Sequence, residues 1–342
     1  MGSRLSSAIL LCWQAGSPHH TRQPMMLEKE FQVIAKRVLG FSVLVVLPML
    51  FTACGGSKGP VQLTFKQGET RRAEIKNDVM LSVTAMGVSF DTNIKLETEL
   101  KMTTKSVDET GGATMDVVFD DFFVNITAPL ERIAGEGPTR KQLDDVAEKV
   151  RGKVIEVHVT QLGIVEKISG LEEIQAAVAV AIHGERRSRR ESPFGDAEQL
   201  IGEKSVRDML QAVFGHCRKE PTAKGDSWTV TRAMIPGLPI DLQTTLSMGA
   251  RSREEAAISV SSTLNPAITL PGDMPLKLKA DVQGDERGTL TLDRSNGWIK
   301  KGEMESSFNG NVSFEDAPFF LPKDTSFPIK LSGKQTIETF AS

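Results

Sequence analysis

His216-Cys217 sets a thiol beside an imidazole, the residue types that make an activated nucleophile or one corner of a metal site. Neighbouring side chains at a helix end point apart, however, and no further Cys, nor a His at ligand spacing, completes a site. A helix-terminal polar pair is the reading that follows. His158 falls on the polar side of a strand-like alternation and reads as an exposed histidine. Asp120-Asp121, followed by Phe122-Phe123, and Asp144-Asp145 lack the oxygen-ligand spacing of a calcium loop, and read as turn and helix surface. Gly111-Gly112 and Gly55-Gly56 sit in no strand-Gly-helix unit and read as turn and tether, not phosphate loops. Arg186, Arg187, Arg189 and Arg190 suit anionic headgroups. Glu185 and Glu191 dilute that charge, and a solvated loop is the plainer account. No catalytic residue, metal ligand or cofactor site emerges, so the chain is expected not to be an enzyme.

Cys54 has the most informative surroundings. Val38 to Ala53 runs sixteen residues without a charge, short of the roughly 20 needed to span a bilayer but suited to a signal-peptide core. Lys29, Lys36 and Arg37 supply a positive flank. The run closes on Phe51-Thr52-Ala53-Cys54, and Gly55 to Pro60 reads as a flexible tether. These residues resemble the lipobox of bacterial lipoproteins. The resemblance implies that the Cys54 sulfur carries a diacylglycerol, that the signal is cut before it, and that the membrane is a partner through this lipid. Two acyl chains, at about 0.8 kcal/mol per buried CH₂, suffice for stable anchoring. Gly55 is not the aspartate associated with inner-membrane retention, so an outer-membrane address is expected in a Gram-negative host. Residues 1–24 read as an upstream-start artefact or a disordered leader, 25–53 as signal peptide and 54–60 as tether.

The composition argues against a nucleic-acid partner. The chain has 342 residues, 25% charged, with a formal net charge of −3, so no basic field argues for nucleic acid. Of three cysteines, Cys12 lies in the leader and Cys54 would carry lipid, which leaves Cys217 alone. A disulfide framework within one chain is thereby excluded. A domain of this size can instead be held by core burial.

The elements follow from periodicity. From Val88 to Met102 apolar residues and threonines occupy even positions and polar ones odd positions, the mark of an antiparallel strand with one wet face. Fifteen such residues would span roughly 50 Å, so the strand must bend and the sheet must curve. Similar alternation recurs around Val79–Val83, Ala113–Phe119, Ile155–Val159, Ile240–Met248, Ala256–Leu264, Leu276–Val282 and Leu290–Leu292, with closing strands after Val312. Asn296-Gly297 is a hairpin signal. Three amphipathic helices interrupt the strands within about 139–217. One is capped by Thr139 with Gln142 and stopped by Gly152. A second runs from Leu171 to Gly184, and a third is capped by Ser205 and ends at Gly215. The segment from His183 to Gly195 reads as the most mobile loop. The expectation is an α+β, predominantly antiparallel fold, a large half-barrel or clam-like sheet with about three helices inserted mid-chain, forming one domain over 61–342.

Several phrases are similar to a family of secreted bacterial lipoproteins of unknown function: Leu63 to Thr70, Gly152 to Gly170, Gly225 to Val230, and Gly288 to Trp298. The architecture also resembles envelope lipid carriers of the lipoprotein-localisation type, which implies acyl chains held between a curved sheet and helices. Fold alone does not set function. The leading expectation is therefore a non-enzymatic anchored module with an apolar ligand between sheet and helices. The alternatives are a scaffolding lipoprotein docking protein partners, and an envelope hydrolase dependent on His158, His183 or His216.

Overall fold

The computed structural model describes residues 59–85, 87–127, 139–183, 201–237, 240–264, 278–314 and 325–342. Every described residue belongs to one compact unit within 56–342. Among these residues are thirteen strands and three long helices. They run in the order β1 (Gly59–Val61), β2 (Thr70–Ala85), β3 (Val88–Val107), β4 (Ala113–Thr127), α1 (Arg140–Val150), β5 (Val154–Val159), β6 (Val165–Ser169), α2 (Leu171–His183) and α3 (Glu203–Phe214). Then come β7 (Arg218–Thr222), β8 (Ser227–Ala233), β9 (Asp241–Arg251), β10 (Glu255–Leu264), β11 (Leu278–Asp293), β12 (Ile299–Phe314) and β13 (Ser326–Ala341). β1 pairs with β7 as a separate ribbon.

The other eleven strands form one antiparallel sheet in the order β6-β5-β4-β3-β2-β13-β12-β11-β10-β9-β8. Two meanders meet at its centre, where the last strand pairs with β2 from Ile329 opposite Val83 to Ala341 opposite Arg71. Among the described residues, no strand pairing closes the sheet. It is nonetheless tightly rolled. Arg232 on β8 donates to Gln335 on β13, five strands away. In a flat sheet those strands would lie about 24 Å apart, far beyond the reach of a side chain.

α3 spans the opening between the edges, packing against both edge strands, β6 and β8. Arg207 of α3 donates to the Val165 carbonyl on β6. Asp208 accepts from the Gly237 backbone N–H just after β8, at 3.2 Å. The apolar face of α3 explains this position: Val206, Met209, Leu210, Val213 and Phe214 are buried at helical spacing. α1 lies on β4 and is tied to α2 by Gln142 Nε2, which donates to the Ile182 carbonyl. The Thr139–Gln142 capping box is present. Ser205 does not cap α3. Gly202 occupies that position and its carbonyl accepts from Val206 N–H, so the helix begins earlier and Ser205 is buried inside its first turn.

Asp120-Asp121, expected as a turn, instead lies inside β4. The register shifts between Glu99 opposite Asp121 and Leu100 opposite Phe119, leaving Asp120 as the extra residue of a β-bulge inside β4. The bulge switches the inward parity, so Phe119 and Phe122 both face the core, with rings edge-on at 6.5 Å. Asp144 and Asp145 do lie on the helix surface, paired with Arg140 and Lys141.

Candidate functional site

The inner face of the rolled sheet carries two apolar clusters. The larger joins all three helices to β2–β6, β9, β10, the ends of β11 and β12 beside the turn that links them, and the C-terminal part of β13, with Phe119, Phe122, Leu143, Ile174, Leu210 and Phe214 all at most 1% exposed. That half is the packed core. The smaller cluster consists of Val79, Met234, Ile235, Leu242, Phe308 and Leu331. It is flanked by Leu81, Ile94, Ile240, Leu264 and Val282, which are only partly buried.

A row of polar side chains separates the two. Registered pairing lines up Thr244 of β9 with Ser262 of β10, Ser262 with Glu286 of β11, Glu286 with Ser306 of β12, and Gln335 of β13 with Asn77 of β2. Each of these residues is at most 9% exposed. Ser262 hydroxyl donates to Glu286 Oε2 at 2.8 Å and shares a hydrogen with Thr244 at 2.9 Å. Gln335 Nε2 donates to Asn77 Oδ1 at 2.7 Å.

Arg232 crosses the hollow of the roll and closes this chain. Its guanidinium pairs with Glu286 and donates to Gln335 Oε1 at 3.2 Å. Burial lowers the Arg232 pKa to about 10, which still leaves it charged near neutrality. A buried pair of this kind adds little net stability, because desolvating both charges offsets their attraction. Two nitrogens of the belt are buried without a hydrogen-bond partner, Arg232 Nη2, which meets Glu286 as an ion pair, and Asn77 Nδ2, which has no charge partner either. The arrangement can therefore hold a neutral polar group at the boundary of an apolar surface.

Other sequence-derived candidates are placed elsewhere. Phe51, Thr52, Ala53 and Cys54, and likewise Arg186, Arg187, Arg189 and Arg190, lie outside the described residues. So do the loop 184–195 and the side chain of His183. His158 sits on the outer face of β5, as expected, clamped between two carboxylates. Its Nε2 lies 3.0 Å from Asp108 and its Nδ1 3.1 Å from Glu166. Hydrogen bonds from Thr110 and then His158 hold the Asp108 carboxyl down at about 2. Both ring nitrogens of His158 are thus engaged by carboxylates.

His216 is buried, and its Nε2 donates to the Gly297 carbonyl at 2.7 Å. Burial pushes its pKa down to about 4 and the neighbouring Cys217 thiol up to about 12. Cys217 is thus a thiol rather than a thiolate nucleophile at neutral pH. Among the described residues, no cluster of His, Cys, Asp and Glu could hold a metal ion, and no helix is long and apolar enough to cross a membrane.

The belt is the feature that sequence reasoning missed. Thr244, Ser262, Glu286, Ser306 and Gln335 interrupt the inward rows of their strands, so a polar residue at an inward position was the available signal. Arg232 gave the same signal, since it follows Trp228 and Val230 on the inward face of β8, but which partners it meets is set by the roll.

Fold and site together define a rolled antiparallel sheet, plugged at one end by helices and crossed by a buried polar belt. Within that class, the chain belongs to the family described as "Family of unknown function (DUF6263)", whose model matches residues 110–299, more than half its length. No curated protein matches the chain. Among solved structures it is similar to "Lipid-protein interactions in lipovitellin", with 10% identity and a TM-score of 0.42 over 81% of this chain and 26% of that one. The chain thus spans about a quarter of that lipovitellin chain. It is also similar to DynF from the dynemicin biosynthesis pathway of Micromonospora chersina, with 7% identity and a TM-score of 0.18 over 82% of this chain and 85% of that one.

Proposed function

We propose that this protein is a non-enzymatic bacterial envelope lipoprotein, attached to a membrane through lipid on Cys54, that holds an apolar ligand on the inner face of its sheet. The observation that carries the ligand reading is the division of the interior by the belt. On one side the side chains are packed, and on the other Leu81, Ile94, Ile240, Leu264 and Val282 are apolar, inward-facing and only partly covered. Apolar surface left in water costs about 25 cal/mol per Å², which an apolar ligand would recover. The space between helices and sheet, where the sequence pointed, is filled by side chains such as Phe119, Phe122 and Phe214, so this reading puts the ligand beyond the belt. Support for the anchor is the uncharged run ending in Phe51-Thr52-Ala53-Cys54 ahead of a Gly/Ser tether. An outer-membrane address in a Gram-negative host belongs to the same reading, as does a role for Arg186, Arg187, Arg189 and Arg190 at anionic headgroups.

The anchor and the ligand are tested separately. Cells fed radiolabelled palmitate should label the protein, and a Cys54→Ser variant should lose the label and retain its signal peptide. Normal processing of that variant without any label on the wild type would refute the anchor. For the ligand, an organic extract of the purified protein analysed by mass spectrometry should contain a near-stoichiometric apolar compound. An extract free of such compounds, from protein purified without detergent exchange, would overturn it.

A further inference from the structure

We propose that the belt is the polar end of a binding site for an amphiphile with a hydrocarbon tail and an uncharged oxygen acceptor, of the monoacylglycerol class. This assignment rests on the ligand reading above and names the chemistry of that ligand. The tail belongs on the apolar side of the belt. Along β2, Val79, Leu81 and Val83 follow Asn77 on the same face, with Ile94, Thr92 and Phe90 opposite them on β3. From Asn77 to Val83 the strand advances about 20 Å, comparable to a long acyl chain.

The polar end is specified by what the belt has already matched and what it has not. Arg232 is paired with Glu286, so the belt presents no net charge to a ligand. A carboxylate end would meet Glu286 and an ammonium end would meet Arg232, each at the cost of burying a charge beside its like. Asn77 is 3% exposed, and its Oδ1 is taken by Gln335 while its Nδ2 has no partner. A buried amide donor without an acceptor is unfavourable, and a carbonyl or hydroxyl oxygen on the ligand satisfies it.

The experiment compares three probes with the same tail, radiolabelled monoolein, oleate and oleylamine, for retention by the full chain on gel filtration. Wild-type protein should retain monoolein about tenfold better than either charged probe. Glu286→Gln keeps an acceptor for Ser262 but leaves the Arg232 charge unmatched. That variant should prefer oleate, and oleate rather than monoolein should raise its melting temperature. Asn77→Leu removes the free donor and should lower monoolein retention about tenfold, even if Glu286→Gln fails to fold. Equal retention of the three probes by the wild type, or an unchanged preference in Asn77→Leu, overturns the assignment. If extracts contain an apolar compound but the probes are not discriminated, only the belt assignment falls. If extracts are empty and no probe is retained, the ligand reading falls with it.

Discussion

His216 is the residue whose burial has the clearest consequence in solution. Packed beneath the turn that carries Gly297, it titrates near 4 in the folded chain against about 6.5 when unfolded. Above pH 6.5 both states are neutral and the group has no effect on the folding equilibrium. As pH falls from 6.5 towards 4, the unfolded chain binds a proton that the folded one refuses, and stability drops. The full loss is about 3 kcal/mol, and it levels off below pH 4. Urea midpoints measured at pH 7 and pH 4.5 should differ accordingly, and His216→Gln should remove most of that difference. Equal midpoints for the wild type would show that the ring is not held neutral. Gly297 itself is constrained by the same packing. Its φ is +77°, and a Cβ there would collide with the Gln62 carbonyl, so this turn tolerates only glycine without a shift of the chain that enters β2.

At the scale of elements, α3 acts as the strut across the open side of the roll. Phe214 at its C-terminal end is fully buried, edge-on to Trp298 at 5.3 Å. Its carbonyl lies where Gly163, at φ +73°, leaves no room for a side chain. Phe214→Ala should therefore cost about 3–5 kcal/mol in a urea titration, because the surrounding backbone cannot collapse into the cavity. Thr139→Ala, which removes the cap of the peripheral helix α1, should cost only about 1 kcal/mol. Comparable losses from the two variants would mean that α3 does not brace the sheet edges. The helices themselves were legible from their apolar spacing and from the Thr139–Gln142 pattern. The start of α3 was not. Ser205 has the chemistry of a cap, but the backbone of Gly202 already satisfies that turn, and burial of the helix face governs where the helix begins.

For the whole molecule, the belt divides one sheet into halves of different stability. Backbone amides of Ala73–Asn77 and Leu96–Met102 lie over the packed cluster and should exchange with solvent only on global unfolding. Amides of Leu81–Val83 and Phe90–Thr92, on the same two strands, face partly covered side chains and should exchange sooner through local opening. Hydrogen-exchange mass spectrometry resolves these peptides, and uniform protection along both strands would contradict the division. Much of this sheet could be read in advance. Strict alternation from Val88 to Met102 gave both the strand and its inward face, since side chains in a strand alternate between faces and water selects which residues turn outward. The excess length of that run also required curvature. The bulge at Asp120 escaped notice because a parity change in a single strand looks like a turn until its partner strand is known. The apposition of β13 and β2 was likewise hidden, because pairing the two ends of a chain depends on how every intervening hairpin stacks.

From its own residues, this sequence determined local periodicity, caps and hairpins, as well as the apolar run ahead of Cys54, because these depend on neighbours a few positions apart. Only the tertiary structure decided that the sheet rolls far enough for Arg232 to reach Glu286 and Gln335, and that one half of the interior fills while the other stays partly uncovered. Those outcomes come from how twist accumulates over eleven strands and from the volume the helices occupy, quantities that no short window of sequence contains.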